Sequence, residues 1–277
     1  MCGTGRLPAV QLLALDFDGV ISDSAPEAFM VALRTYAALR DDPDVLRMQQ
    51  RVDSCSASEI REDSLYARFV DMMSLGNRAE DFAVEISLLA RGVDVRDQAS
   101  FDEAFAAEPA GFLESFQERF YETRGALRAA DPERWARLLD PYPDFVSLLR
   151  RRARDVDLAI ATAKDRTSVH LLLRDYGIDD LFPEERLLDK KAGRSKRAHL
   201  EHLHARTGVA YSDIVLVDDK LSHLDDVVGL GVSGVLAAWG YNGVREQRVA
   251  REHGHRVCSL SDFESRLFAG PWRGAGC

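Results

Sequence analysis

The sequence predicts an α/β protein: a parallel sheet with helices on both faces, interrupted by an all-helical insertion. Three observations carry this. Apolar runs with strand character recur at 10–18, 156–162, 214–217 and 232–238, and beyond 140 they alternate with helical segments. The stretch 26–140 instead repeats apolar residues at three- and four-residue spacing and contains no clear strand. The 277 residues, 46 % of them hydrophobic, suffice for one large domain or two moderate ones with a sizeable core.

The first strand runs through Leu12-Leu13-Ala14-Leu15 into Asp16-Phe17-Asp18 and breaks at Gly19. Alternate residues of an extended strand share a face, so Asp16 and Asp18 are expected to point the same way. Two like charges that close raise each other's pKa unless a metal or a shared proton relieves them. A calcium loop fits poorly: Gly19 comes fourth rather than sixth, and Phe17 and Val20 are apolar.

The helical stretch carries Phe29, Leu33 and Tyr36, then Leu65, Phe69 and Met72, then Phe112, Phe116 and Phe120 on one face each. Breaks fall at Asp41-Asp42-Pro43, Leu75-Gly76-Asn77, Gly92-Val93-Asp94 and Asp131-Pro132. Ser100 is expected to cap a helix beginning near Phe101. Beyond Asp140 the order is helix 145–152, strand 156–162, helix 168–176 ending at Gly177, helix 195–206 ending at Gly208, strand 214–217 and strand 232–238. Parallel sheets collect ligands at the C-terminal ends of their strands. Asp16 and Asp18, Thr162, and the Asp218-Asp219 pair all stand at such ends, and Lys196 opens a helix between them.

These motifs, Asp16-Phe17-Asp18-Gly19-Val20, Ala161-Thr162-Ala163-Lys164, a lysine before the next helix, and Val217-Asp218-Asp219, resemble those of the haloacid dehalogenase-like hydrolase superfamily. The resemblance covers essentially the whole chain. It implies a Rossmann-like catalytic core over 1–24 and 141–277 and a helical cap domain of the superfamily's first type over 25–140. Members are mostly magnesium-dependent phosphatases and phosphomutases, and the roles follow. Asp16 is the nucleophile that forms an aspartyl-phosphate, and Asp18 is the acid and base. Asp16, the Asp18 carbonyl and Asp219 hold Mg²⁺, with Asp218 a further ligand or a partner behind it. Thr162, the backbone of Ala163 and Lys196 bind the phosphate, and Arg78 in the cap contacts the substrate. Lys191 and Lys190 are the alternatives to Lys196.

Three neighbours receive plainer expectations. Lys164 is read as a rim residue. Many superfamily members carry an acid four positions after the metal aspartate, but this chain has His223, read as a surface histidine turned outward. In Trp239-Gly240-Tyr241 the two aromatics are read as a packed pair beneath a loop.

The formal charge of −10 disfavours nucleic-acid binding as the main activity. Cys2, Cys55, Cys258 and Cys277 form no CxxC pair, so neither a disulfide framework nor a zinc site is expected. Met1–Pro8 is too short and polar for a signal peptide, and no apolar run is long enough to span a bilayer. The expectation is a cytoplasmic, magnesium-dependent phosphatase acting on a small phosphorylated metabolite, of open oligomeric state, with no membrane partner. A sugar phosphomutase and a catalytically silent phosphometabolite-binding relative are the alternatives. A signalling receiver domain would place the acidic pair first and the lysine last, and a haloacid dehalogenase would not need Asp18.

Overall fold

The computed structural model describes residues 10–95, 97–193 and 195–268. Cys2 and Cys277 and the segment Met1–Pro8 lie outside them. The chain divides into two compact units, one made of the residues up to Asp23 together with those from Pro141 onward, the other of Ser24–Asp140.

In the first unit, β1 (Leu12–Leu15), β2 (Asp157–Ala161), β3 (Leu187–Leu188), β4 (Ile214–Asp218), β5 (Ser233–Ala237) and β6 (Arg256–Cys258) form a six-stranded sheet. Every neighbouring pair is parallel, in the order β3-β2-β1-β4-β5-β6. All four residues of β1 are fully buried, as a central strand covered on both faces must be. Two strands of this sheet, β3 and β6, lie outside the predicted set because two or three residues leave no readable alternation.

The topology positions the site. Successive strands step away from β1 as far as β3, then return to its other side at β4. That reversal opens a crevice at the carboxyl ends of β1 and β4. Leu15 is in register with Ile160 of β2 and Val217 of β4. The next residues along the chain, Asp16, Ala161 and Asp218, therefore stand at one level.

Helices begin where side chains replace missing backbone partners. Ser195 accepts a hydrogen bond from the Ala198 amide at 3.2 Å and opens helix Lys196–Thr207, which ends at Gly208 with φ +71°. Asp165 does the same for helix Arg166–Asp175, accepting from Ser168 N at 3.0 Å.

The second unit is all-helical. Its longest helices, Ala25–Leu39, Ala79–Ala90 and Ala110–Ala130, are joined through a chain of rings running Phe29, Phe69, Phe82, Phe120 and Phe116. Glu27 is fully buried there, bound by both arms of Arg124 at 2.7 Å and by the Trp135 indole at 3.1 Å. Removing Arg124 would strand a buried charge at a cost of about 3–5 kcal/mol. The cap expected at Ser100 is instead Asp97: its carboxylate accepts from Ser100 N at 2.8 Å, and the helix spans Gln98–Ala107. A carboxylate three residues ahead reaches that amide better than the serine's own hydroxyl reaches a later one. Among the described residues no helix is long and apolar enough to cross a membrane.

Candidate active site

Lys196 lies at the centre of the crevice, its side chain 5 % exposed. Its Nζ stands 2.9 Å from Asp16 Oδ1 and 3.0 Å from Asp218 Oδ2, and it donates to the Ala161 carbonyl at 2.5 Å. Lys190 and Lys191 are exposed. Only the lysine in the first turn of the helix is brought to Asp16, because Ser195 fixes that turn against the strand ends. Burial alone would lower the Lys196 pKa, but the carboxylates of Asp16 and Asp218 push it up to about 12.

Asp16 follows the last residue of β1 and keeps one ladder bond, its amide to Val217 O at 2.9 Å. Oδ1 also accepts from the Phe17 amide at 2.7 Å. Burial holds its carboxyl above the ordinary range despite the lowering pull of Lys196. The strand stops at Leu15, so Asp18 sits in the turn closed by Gly19 at φ +77° rather than on a continuing strand. Its Oδ1 pairs with Lys164 Nζ at 3.1 Å. Lys164 is thus no rim residue: its side chain is 5 % exposed, turned inward by the bend at Ala163 and Lys164. Thr162 is buried, and its Oγ1 accepts from the Lys164 amide at 3.1 Å, shaping the same bend. Ala163 is exposed at the apex of the bend.

The acidic pair divides into two environments. Asp218 Oδ1 accepts from the Lys220 amide at 2.9 Å, and His223 Nδ1 lies 3.0 and 3.1 Å from its two oxygens. Burial would raise Asp218, but Lys196 and then His223 outweigh it and hold the carboxyl well below the usual range. His223 does not turn outward as expected, because helix Leu221–Val227 starts directly after Lys220 and folds its first turn back over the buried carboxylate. Asp219 has fewer donors. Burial, reinforced by Asp218 and Asp16, pushes it up to about 7 against the pull of Lys220.

Asp219 is wedged between two glycines. A Cβ on Gly19 would lie 2.4 Å from Asp219 Oδ2, and one on Gly240 would lie 2.4 Å from Asp219 Cβ. The Tyr241 amide donates to Asp219 Oδ2 at 2.8 Å, and the Asn242 side chain donates to the Asp219 carbonyl at 3.1 Å. The two aromatics therefore part company. Trp239 packs on Phe145 and Phe263 rather than on Tyr241, with centroids 5.1 and 5.6 Å away, whereas Tyr241 holds Asp219 and donates its hydroxyl to Asp23 at 2.9 Å. Lys164, His223, Gly240 and Tyr241 escaped sequence reasoning as site residues. The signal for two of them, Lys164 and His223, was proximity alone, two positions beyond Thr162 and four beyond Asp219.

Three buried carboxylates side by side, one of them raised toward neutrality, are what a divalent ion relieves. Donor atoms of Asp16, Asp218 and His223 lie within 4.8 Å of one another. The carboxylate oxygens are hard donors of the kind a divalent cation takes, and the missing Cβ atoms at Gly19 and Gly240 leave room for Asp219 between the two turns.

Arg78 belongs to the helical unit. It precedes helix Ala79–Ala90, and its guanidinium donates to Asp81 at 3.0 and 2.8 Å.

Comparison with known proteins agrees with this fold. The family model of the haloacid dehalogenase-like hydrolases matches residues 10–225. A predicted phosphoglycolate phosphatase from Haemophilus somnus 129PT is 17 % identical, with 94 % of this chain and 97 % of that one covered at a TM-score of 0.60. A predicted phosphatase from Clostridium acetobutylicum is 12 % identical, covering 95 % of this chain and 100 % of that one at 0.54. A HAD family hydrolase from Deinococcus radiodurans R1, solved with bound phosphate and sodium, is 19 % identical, covering 94 % and 96 % at 0.52. At such identities the likeness is one of fold. No curated protein matches the chain.

Proposed function

From the premise that this chain belongs to the haloacid dehalogenase-like hydrolase family, we propose that it is a Mg²⁺-dependent phosphatase of small phosphorylated metabolites. The observation that carries this reading is the Lys196 ammonium shared between Asp16 and Asp218 at the carboxyl ends of β1 and β4. One buried cation beside a buried carboxylate equips a site for an anionic nucleophile attacking an anionic phosphoryl group.

Lys196 and the Phe17 amide both engage Oδ1 of Asp16, so Oδ2 is the attacking oxygen. It bonds to phosphorus as the bond to the leaving oxygen breaks, and Asp18 gives that oxygen its proton. Asp18 then takes a proton from water, the water attacks the aspartyl-phosphate, and Asp16 is regenerated with release of inorganic phosphate. Lys196, the Thr162 hydroxyl and the Ala163 amide steady the phosphoryl oxygens. The backbone turn after Thr162 leads into helix Arg166–Asp175, whose positive end favours an anion. Asp16, the Asp18 carbonyl and Asp219 are the residues that would hold Mg²⁺, with Asp218 behind them. Bound there, the ion would neutralise phosphoryl charge and orient the group for in-line attack. Substrate choice is assigned to the helical unit, with Arg78 the candidate contact.

The test is a phosphate-release screen over sugar phosphates, nucleotides and phosphoglycolate, with and without Mg²⁺. Turnover that persists in excess chelator, or no turnover of any phosphomonoester, refutes the reading.

A further inference from the structure

Four positions after Asp219, this chain places an imidazole against a carboxylate that already has two other donors. Asp218 is fully buried, and a carboxylate offers about four lone-pair directions. Lys196 Nζ takes one on Oδ2 at 3.0 Å and the Lys220 amide takes one on Oδ1 at 2.9 Å. His223 Nδ1 spans the remaining edge, 3.0 Å from Oδ1 and 3.1 Å from Oδ2. A ring nitrogen equidistant from both oxygens of a buried carboxylate is a donor, carrying its proton on Nδ1.

The consequence falls on Lys196, which is suspended almost symmetrically between Asp16 and Asp218. Where a shared ammonium settles depends on how strongly each carboxylate draws it. Every donor added to Asp218 weakens its claim on Lys196 and leaves the cation to Asp16. We propose that His223 is a positioning residue for the phosphoryl-transfer step: its Nδ1–H pins Asp218, so that Lys196 is held toward the nucleophile Asp16. The four side chains form a continuous line from the half-buried imidazole to Oδ1 of the nucleophile's carboxylate. The proposal rests on the phosphatase reading of the site.

The choice of imidazole also bears on the charge of the crevice. A carboxylate at 223 would face Asp218 directly and add a further anion to a site that already holds Asp16, Asp218 and Asp219. The imidazole supplies a donor instead, so the line is complete without a cation between 218 and 223. His223 is therefore not read as a metal ligand, and its loss should leave the metal site intact.

Two substitutions separate the possibilities. His223→Leu keeps bulk and removes the donor. His223→Asn places an amide Nδ2–H where Nδ1–H stood. With the full chain and an aryl phosphate substrate in saturating Mg²⁺, His223→Leu is expected to lower kcat at least tenfold with KM within threefold. His223→Asn should recover kcat to within about fivefold of wild type. Mg²⁺ affinity, measured by calorimetry without substrate, should stay within threefold in both. Wild-type kcat in His223→Leu, equal impairment of the two variants, or a tenfold loss of Mg²⁺ affinity in either overturns the proposal.

A readout independent of turnover is the ring ¹H–¹⁵N spectrum, with the His223 signals assigned by their absence from His223→Asn. Nδ1 should be protonated, and its shift should move in Lys196→Met. An unprotonated Nδ1 overturns the donor assignment even in an active enzyme. An inactive wild type whose Nδ1 is protonated and responds to Lys196→Met overturns the phosphatase reading alone.

Discussion

Lys196 and Asp16 approach to 2.9 Å although they come from a helix start and a strand end far apart in the sequence. The contact is produced by two local devices. The Ser195 cap fixes the first turn of the lysine's helix, and the β1–β4 register delivers Asp16 beside Asp218. The pair is buried, so each member keeps the other charged: the carboxylates push Lys196 up to about 12, and Lys196 opposes the upward shift that burial imposes on Asp16.

Lys196→Met should therefore cost both turnover and stability. Loss of a charge-stabilising donor lowers kcat by roughly 100- to 1,000-fold. Leaving Asp16 and Asp218 buried without their shared cation destabilises the fold by about 3–5 kcal/mol. Denaturant melts of Lys196→Met and of Lys196→Met/Asp218→Asn check the second part. The double variant should be the more stable of the two, and equal midpoints would show that the charge of Asp218 is not what the lysine offsets.

Asp16→Asn should reduce phosphate release to background while the protein remains folded. An amide is no anionic nucleophile, and removing one of three neighbouring buried carboxylates relieves repulsion. The check is a phosphate assay beside a thermal melt. Activity within tenfold of wild type would remove Asp16 from the nucleophile's role.

The parallel sheet was legible because its central strands are apolar runs that end abruptly in polar residues, Leu15 into Asp16, Ala161 into Thr162 and Val217 into Asp218. Lys196 was legible as the opening of a helix, but choosing it over Lys190 and Lys191 needed the Ser195 cap and the burial that follows from it. Lys164, His223 and Tyr241 were misjudged because their directions are set by turns rather than by periodicity. A bend at 163–164, an abrupt helix start at Leu221 and the Gly240 backbone each aim a side chain or amide inward. Leu187–Leu188 and Arg256–Cys258 are strands only because neighbours pair with them, so tertiary context supplied what their own sequence lacks.

Asp219 gives the metal-free protein a specific pH dependence. Its carboxyl is pushed up to about 7, chiefly by burial, from the ordinary aspartate value of 3.8. Between about pH 4 and pH 7 the folded state retains a proton that the unfolded chain has released. This contribution is therefore fully present at the acid end of the window and is lost as pH rises through about 7, by about 4 kcal/mol at most. Mg²⁺ competes with that proton, so its binding should release protons near pH 6 and few above pH 8. Melts in chelator at pH 5 and pH 7.5 test this against Asp219→Asn, which should flatten the difference. Parallel behaviour of the two proteins would refute the assignment.

Gly240→Ala isolates the placement of Asp219 from its charge. The added methyl would lie 2.4 Å from both Asp219 Cβ and the Gly19 carbonyl, atoms of two short turns that pack against each other. Neither turn can yield alone, because the Tyr241 amide is tied to Asp219 Oδ2 and the Trp239 indole to the Val20 carbonyl. The carboxylate must shift, and every element of charge stays in place. Mg²⁺ affinity is expected to weaken by roughly tenfold, about 1.4 kcal/mol, with kcat at saturating Mg²⁺ falling less than it does in Lys196→Met. Calorimetric titration of the variant with Mg²⁺ checks the first figure and a metal-saturated rate the second. An unchanged affinity would mean that Asp219 does not hold the ion, and the oxygen donors would then have to be sought around Asp16 and Asp218.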